Sequence, residues 1–377
     1  MERKLKVCVI HRYPAKEVLG TNPSFVKLLE DLVEKGHDVS LVTLKDDQKI
    51  NGVKLDPINL KFHRDKSLDK VWKSLLFTFI VPFKVLGKKY DVIYCDDNQP
   101  IYWYFVKKFG RTKTLLRIGD LWGLFLQEKQ FPIYVRSLAK ILYFFERKIM
   151  WNSLDNILVL SNALKKHMMN LGIKENKLKV ITECINLEDF KDIKSEGDKI
   201  INHGFFHQYK KSETVMNAIP IILKEFPKEK FIFAGDGPEL NNLKKLAKDL
   251  KIENNVEFTG WLNFKELKNK IKESKIGIAT RSKGRANDFV VTSSLLQDMT
   301  SGLAVLAPNS EATKEFINGK NGLTYEIEDF NDLAKKIMLL LNNRKLLKEL
   351  GTNAMESVEV YSKNIIAKQL LEAIENA

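Results

Sequence analysis

The chain has 377 residues, 44% apolar and 29% charged, a globular composition that is too long for one ordinary core. Cys8, Cys95 and Cys184 lie far apart with no CxxC spacing, which argues against a disulfide scaffold or structural zinc and suits a reducing compartment. The net charge of +14 is local: residues 61–150 hold 18 Lys and Arg against 8 Asp and Glu, residues 201–377 only 26 against 23, and no recognition-helix, RRM or zinc-finger pattern accompanies the charge, so nucleic acid is not an expected partner.

MERKLKVCVI runs straight into a strand-like stretch without a secretory signal, and no 18 uncharged apolar residues occur in a row. A soluble, cytoplasmic protein is expected. LKVCVI (5–10), PSFVKLLEDLVEKG (23–36) and HDVSLVT (37–43) read as strand, amphipathic helix and strand. VWKSLLFTFIVPFKVLGKKY (71–90) and IYWYFVKKFGRTK (101–113) set Lys and Arg beside dense aromatic and aliphatic residues. Two readings stand: a peripheral contact with an anionic membrane, or ordinary core elements with solvated lysines. YDVIYC (90–95), TLLRI (114–118) and NILVLS (156–161) are further strands, each followed by a helical pattern.

NLEDFKDIKSEGDK (186–199) is polar and reads as a linker. Beyond it the alternation restarts: KIINHG, SETVMNAIPIILKEF, KFIFAG, ELNNLKKLAKDLK, NVEFTG, IGIAT, SSLLQDMTSG and LAVLAP, with KNIIAKQLLEAIENA as a terminal helix. The expected architecture is α/β, two doubly wound Rossmann-like domains at 1–190 and 191–360, with residues 361–377 packing back toward the first. Open parallel sheets bind ligands at the carboxyl ends of their strands, so a cleft between two such domains is the expected site.

FAGDGPELNNLKKL (233–246) sets two glycines and a proline between a strand and a helix. A dinucleotide fingerprint would need a third glycine at 240, which is Leu, so a nicotinamide or flavin dinucleotide is excluded. Taken alone, Gly235-Asp236-Gly237-Pro238 is equally a tight turn or a place where backbone amides meet phosphate.

The surrounding stretches decide what the chain resembles. FAGDGPELNNLKKLAKDL, NVEFTGWLNFKELKNKIKESKIGIA and SSLLQDMTSGLAVLAPNSEATKEFINGKNGLTYEIEDFNDLAKKI together resemble the carboxyl-terminal domain of family 4 glycosyltransferases, which have the GT-B fold. TNPSFVKLLEDLVEKGHDVSLVT and NILVLSNALKKHMMNLGIKENKLKVITECINLEDF are similar to pieces of that family's amino-terminal domain. The resemblance implies transfer of a hexose-type sugar from a UDP- or GDP-linked donor to a lipid-linked or saccharide acceptor, retaining anomeric configuration, with no metal or other cofactor. Envelope or surface polysaccharide synthesis is the implied setting, at the inner face of the membrane.

The resemblance also assigns residues. A departing diphosphate needs fixed cations and N–H dipoles. The family's Lys maps onto Lys210, after Gly204, but its Arg position is Phe205. TRSKGRAND (280–288) offers Arg281, Lys283 and Arg285 as substitutes; Arg281 is the best placed, against the alternative of a basic surface loop. The second member of the family's acidic pair aligns with Gln297; the first falls at Phe289, leaving Asp288 as the nearest carboxylate. Gly235 and Gly237 belong to the donor side, as does Glu315, although Glu311-Ala312 replaces a Gly-Gly pair before it. Gly20, Thr21 and Asn22 occupy the loop that reaches toward phosphates and acceptor, and Asp120 in RIGDLW is an acceptor-side residue or a helix cap. His203 and His207 hydrogen-bond a phosphate or are simply packed. Because Phe205, Gln297 and the missing carboxylate depart from the pattern, a degenerate nucleotide-binding or partner subunit is the competing function, with a nucleotide-sugar epimerase a third.

Overall fold

Short β-branched runs joined by helices can pair only in parallel, and both halves of the chain do so. The computed structural model describes residues 3–17, 22–60, 67–96, 112–119, 121–128, 131–190, 192–193, 197–284 and 286–377, excluding the side chains of 67–75, 122 and 125. Two units result, Met1–Cys184 with Lys363–Ala377, and Ile185–Ser362.

The first unit is built on seven parallel strands, β1 (Lys6–Pro14), β2 (Asp38–Leu44), β3 (Val53–Ile58), β4 (Val92–Cys95), β5 (Lys113–Ile118), β6 (Asn156–Val159) and β7 (Leu178–Val180), in the order β3-β2-β1-β4-β5-β6-β7. Its helices include α1 (Pro23–Glu34), α2 (Ser67–Val85), α3 (Ile133–Phe145) and α4 (Asn162–Asn170). Alternate strand residues Val7, Val9, Val39, Leu41, Leu115 and Leu158 face Phe25, Leu28 and Leu32 of α1. Each such side chain contributes about 1.5–3 kcal/mol of burial. Right-handed crossovers place α2 and α3 on the opposite side of the sheet from α1, and α2 packs on β1 and β3.

The second unit has six parallel strands, β8 (Lys199–His203), β9 (Phe231–Ala234), β10 (Val256–Gly260), β11 (Ser274–Ile278), β12 (Ala304–Pro308) and β13 (Leu323–Tyr325), in the order β10-β9-β8-β11-β12-β13. Helices α5 (Glu213–Glu225), α6 (Leu240–Asp249), α7 (Phe264–Lys272), α8 (Ser293–Thr300), α9 (Thr313–Phe316), α10 (Phe330–Asn342) and α11 (Arg344–Ser357) cover it. Strand order reverses between β8 and β11, the switch point where such sheets open a crevice. The terminal helix α12 (Lys363–Glu375) lies in the first unit, burying Ile366, Leu370 and Ile374 in the α1 core, while Glu375 meets Lys35 at 3.0 Å and His37 at 3.1 Å.

Local readings need correction in three places. The polar stretch 186–199 is not a solvated linker: Phe190 and Ile193, with Ile185 just before it, are buried in a core cluster of the second unit, and the charged residues around them hide them in the sequence. Pro238 stands in the turn two residues before α6, and the fully buried positions of that helix are Leu243 and Ala247, with Leu240, Leu246 and Leu250 partly covered. Strands β3, β7 and β13, all short or mixed in polarity, escape the sequence pattern. Among the described residues, no helix is long and apolar enough to cross a membrane.

Candidate functional site

The loop after β8 is fastened to the loop after β9 by backbone bonds: Gly204 N–H donates to Ala234 O (2.9 Å), Phe206 N–H to Asp236 O (2.8 Å), and Glu239 N–H to Phe206 O (3.1 Å). This contact explains the GDGP stretch. Gly235 has φ +150° and Gly237 φ +149°; a Cβ on Gly235 would collide with the carbonyl of Gly204, and one on Gly237 with the backbone of Phe206. The glycines let two loops press backbone to backbone, so the 204 and 206 amides are spent on carbonyls.

Lys210 is the product of that brace. Its side chain is buried, and its Nζ donates to His203 O at 2.6 Å. Gly204, at φ +118°, has no room for a Cβ because the Lys210 ammonium lies there. Burial, helped by the Arg281 charge and opposed by Asp298, pushes the Lys210 pKa down to about 8. Beneath the same strand end, His203 Nε2 and Asp298 Oδ1 of α8 stand 2.9 Å apart, both buried.

Arg281 is brought to this place from the loop after β11. Its Nε donates to Asn287 Oδ1 (3.1 Å), and its guanidinium lies 5.7 Å from the Tyr209 ring centroid. Ser282 N–H donates to Tyr209 O at 2.7 Å, tying the two loops together. Tyr209 stacks on His207 at 4.6 Å, and burial pushes the His207 pKa down, against the charge of Glu239. Phe205, in the place of the expected Arg, is half exposed. Arg281 also borders a pocket at the ends of β11 and β12, to which Thr280, Thr292, Ser310 and Thr313 bring hydroxyls over an apolar wall that includes Val291 and Leu295.

The other residues singled out by sequence are placed as follows. Asp288 sits in the short helical turn Asn287–Phe289; its carbonyl accepts from Ala312 N–H (2.9 Å), and burial, with Glu311 nearby, raises its carboxyl pKa. Gln297 lies on α8, one residue before Asp298, and Glu315 on α9, close enough to Tyr361 to raise that phenol's pKa beyond the effect of burial. In the first unit, Asn22 caps α1 by accepting from Phe25 N–H (3.1 Å) and donates to Asp96 (2.8 Å), so its side chain is committed to local structure. Gly20, Thr21, Asp120 and Arg285 lie outside the described residues, as does most of 101–113. Among the described residues, no group of three or more His, Cys, Asp or Glu could hold a metal ion.

Sequence reasoning missed Asp298, Tyr209 and Asn287. Asp298 and His203 are 95 positions apart and share no motif, and Asp298 stands in a short helix of mixed polarity, SSLLQDMT, so no local signal marks it.

Two parallel α/β sheets, with cations and glycines gathered at the strand ends of the second, match the GT-B fold of glycosyltransferases. Residues 20–189 match the family described as Glycosyltransferase Family 4 and residues 186–357 that described as Glycosyl transferases group 1. The chain belongs to the family 4 glycosyltransferases. An uncharacterised glycosyltransferase of Methanocaldococcus jannaschii is 28% identical over 305 residues, 77% of this chain and 74% of that protein. The poly(ribitol-phosphate) alpha-N-acetylglucosaminyltransferase of Staphylococcus aureus is 25% identical over 58% of this chain, which spans 44% of that protein's length. Among solved structures, Anabaena HepE in complex with UDP and glucose superposes with a TM-score of 0.71 at 14% identity, covering 99% of this chain and 100% of that one, a likeness of fold.

Proposed function

We propose that the protein transfers a hexose-type sugar from a UDP- or GDP-linked donor to a lipid-linked or saccharide acceptor, with retention and without a metal, in envelope or surface polysaccharide synthesis. The observation that carries this reading is the convergence of Lys210 and Arg281 at the strand ends of the second unit, close enough for Arg281 to lower the Lys210 pKa. As the bond from the anomeric carbon to the diphosphate oxygen breaks, negative charge grows on the leaving group, and these two cations offset it. The acceptor hydroxyl forms the new bond and its proton passes to the departing diphosphate. Arg281 thereby fills the role of the Arg replaced by Phe205. Asp288, Gln297 and Glu315, on segments neighbouring Arg281, are the side chains assigned to the donor. Gly204, Gly235 and Gly237 shape the donor loop, and Asn22 and Asp120 belong to the acceptor side. HepE was crystallised with UDP and glucose, and the Staphylococcus relative is named for a poly(ribitol-phosphate) acceptor; both suit this reading. The protein works on the cytoplasmic side of the membrane, in peripheral contact with it.

Half-exposed Phe205 supports a second reading, a relative that binds the nucleotide without turnover. Calorimetry with UDP and GDP, together with donor hydrolysis against a panel of UDP- and GDP-sugars, tests both. Binding with hydrolysis or transfer is expected. Binding without either, for every donor, would establish the second reading, and no heat with either nucleotide would end both.

A further inference from the structure

Helix α3 is apolar on two opposite faces, and among the described residues only one of them is buried. Ala139 and Tyr143 are buried, and the π-turn Glu146–Met150 that continues the helix buries Glu146 and Met150 on the same side. On the other side Tyr134, Leu138, Ile141 and Phe145 recur at helical spacing with exposures of 73, 57, 55 and 51%, flanked by Ile133 and Phe144. This row cannot be core, because the helix has already turned a separate row inward. Lys140 and Lys148 are exposed on this outer side, while Arg136 and Arg147 are half-buried beside the inward row. The one carboxylate between positions 129 and 154 is Glu146, and it is buried. Helix α2, on the same side of the sheet, exposes Leu76, Phe79 and Phe83, the last at 82%.

An apolar stripe edged by cations, with no exposed acid, matches the boundary between acyl chains and anionic headgroups: the rings and aliphatic groups seat among the upper methylenes and the long basic side chains reach back to phosphates. A second copy of this chain is a poorer match. A two-fold axis through the stripe would bring the exposed lysines against their own copies with no carboxylate between them. Nucleic acid would meet the cations but leave the apolar centre unmatched.

We propose that the outer face of α3, supported by the exposed row of α2, is the surface on which this protein docks to an anionic phospholipid bilayer. The inference deepens the membrane-side part of the proposed function and rests on it, but its readout does not depend on sugar transfer.

The test is co-sedimentation of the full chain with vesicles of phosphatidylcholine alone or with about one third phosphatidylglycerol, at about 0.05 M and about 0.5 M salt. The wild-type protein should bind the anionic vesicles, and the high salt should weaken that binding. The double variant Leu138→Ser, Phe145→Ser should lose about tenfold or more of the affinity at both salts. Lys140→Glu, Lys148→Glu should lose a similar amount at low salt and little at high salt, where charge is already screened. Lys244→Glu, Lys245→Glu on α6 in the second unit should bind as wild type. Thermal melts and UDP calorimetry confirm that each variant is folded. Wild-type binding that survives the α3 changes would overturn the surface while leaving the membrane reading intact. Absence of wild-type binding would overturn both, and a dimer in lipid-free ultracentrifugation that the α3 serines dissociate would assign the face to a second copy. Failure to bind UDP or GDP, with vesicle binding intact, would remove the transferase reading and leave the docking surface standing.

Discussion

Both units bury a cation at the carboxyl ends of their strands, and the two are handled in opposite ways. In the first unit Arg117, on β5, is paired with Asp96 just after β4 (3.3 Å) and donates to Thr182 O (2.9 Å); Asp96 also accepts from Tyr94 O–H (2.7 Å) and from Asn22 (2.8 Å). Burial works to lower the Arg117 pKa, but Asp96 and Glu183 outweigh it and the net shift is upward. In the second unit Lys210 bonds to a carbonyl, is repelled by Arg281, and is held below its ordinary pKa. The first arrangement is neutralised and structural. The second keeps a positive charge that Asp298 offsets only in part in a low-dielectric place, which lowers stability unless an anion arrives.

That contrast predicts opposite phenotypes for charge removal. Asp96→Ala strands a buried guanidinium and should cost about 3–5 kcal/mol, read by urea denaturation of the whole chain. Lys210→Met removes a buried charge lacking a close acid, so stability should hold or rise, while transfer falls about a thousandfold, or about 4 kcal/mol of transition-state stabilisation. A Lys210→Met protein that melts early and transfers normally would reverse the assignment of the two regions. Arg281→Ala should cost about a hundredfold in turnover with nearly unchanged unfolding, and Arg281→Lys should recover part of it. Unchanged turnover in Arg281→Ala would return that loop to an ordinary basic surface.

How legible the two regions are in sequence differs for the same physical reason. The strand-helix alternation, the glycines at 235 and 237 and the position of Lys210 are local features and can be read along the chain. The pairs that give each site its character join distant positions: Asp96 to Arg117, His203 to Asp298, Tyr209 to Arg281. They exist only once strand order is set, and no spacing rule announces them. Asn22 shows the converse, a residue readable in a loop whose side chain is occupied in capping α1. Residues 133–149 are rich in apolar residues throughout, and only packing reveals which row of the helix faces outward. The polar stretch 186–199 hid Phe190 and Ile193 because two anchors among many charged residues leave little imprint on composition.

The finest test of the contrast is its pH dependence. Lys210 has a folded pKa of about 8 against the 10.5 of an ordinary lysine. Below pH 8 the lysine is protonated in both states, and the folded protein carries the full cost of the buried charge, about 3 kcal/mol. Between pH 8 and 10.5 the unfolded chain holds a proton that the folded chain has lost, so the Lys210 contribution makes stability rise with pH across that window. The difference between wild type and Lys210→Met should therefore shrink as pH rises, by at most about 1.4 kcal/mol per unit. Nucleotide binding should run the other way. A diphosphate beside Lys210 favours the ammonium, so UDP or GDP should draw in a proton near pH 8–9 and bind up to about tenfold more weakly for each pH unit above that. Calorimetry in two buffers of different ionisation heat measures this uptake directly. Uptake that persists in Lys210→Met would show that the proton belongs to another group, and that the buried lysine is not where the anion is felt.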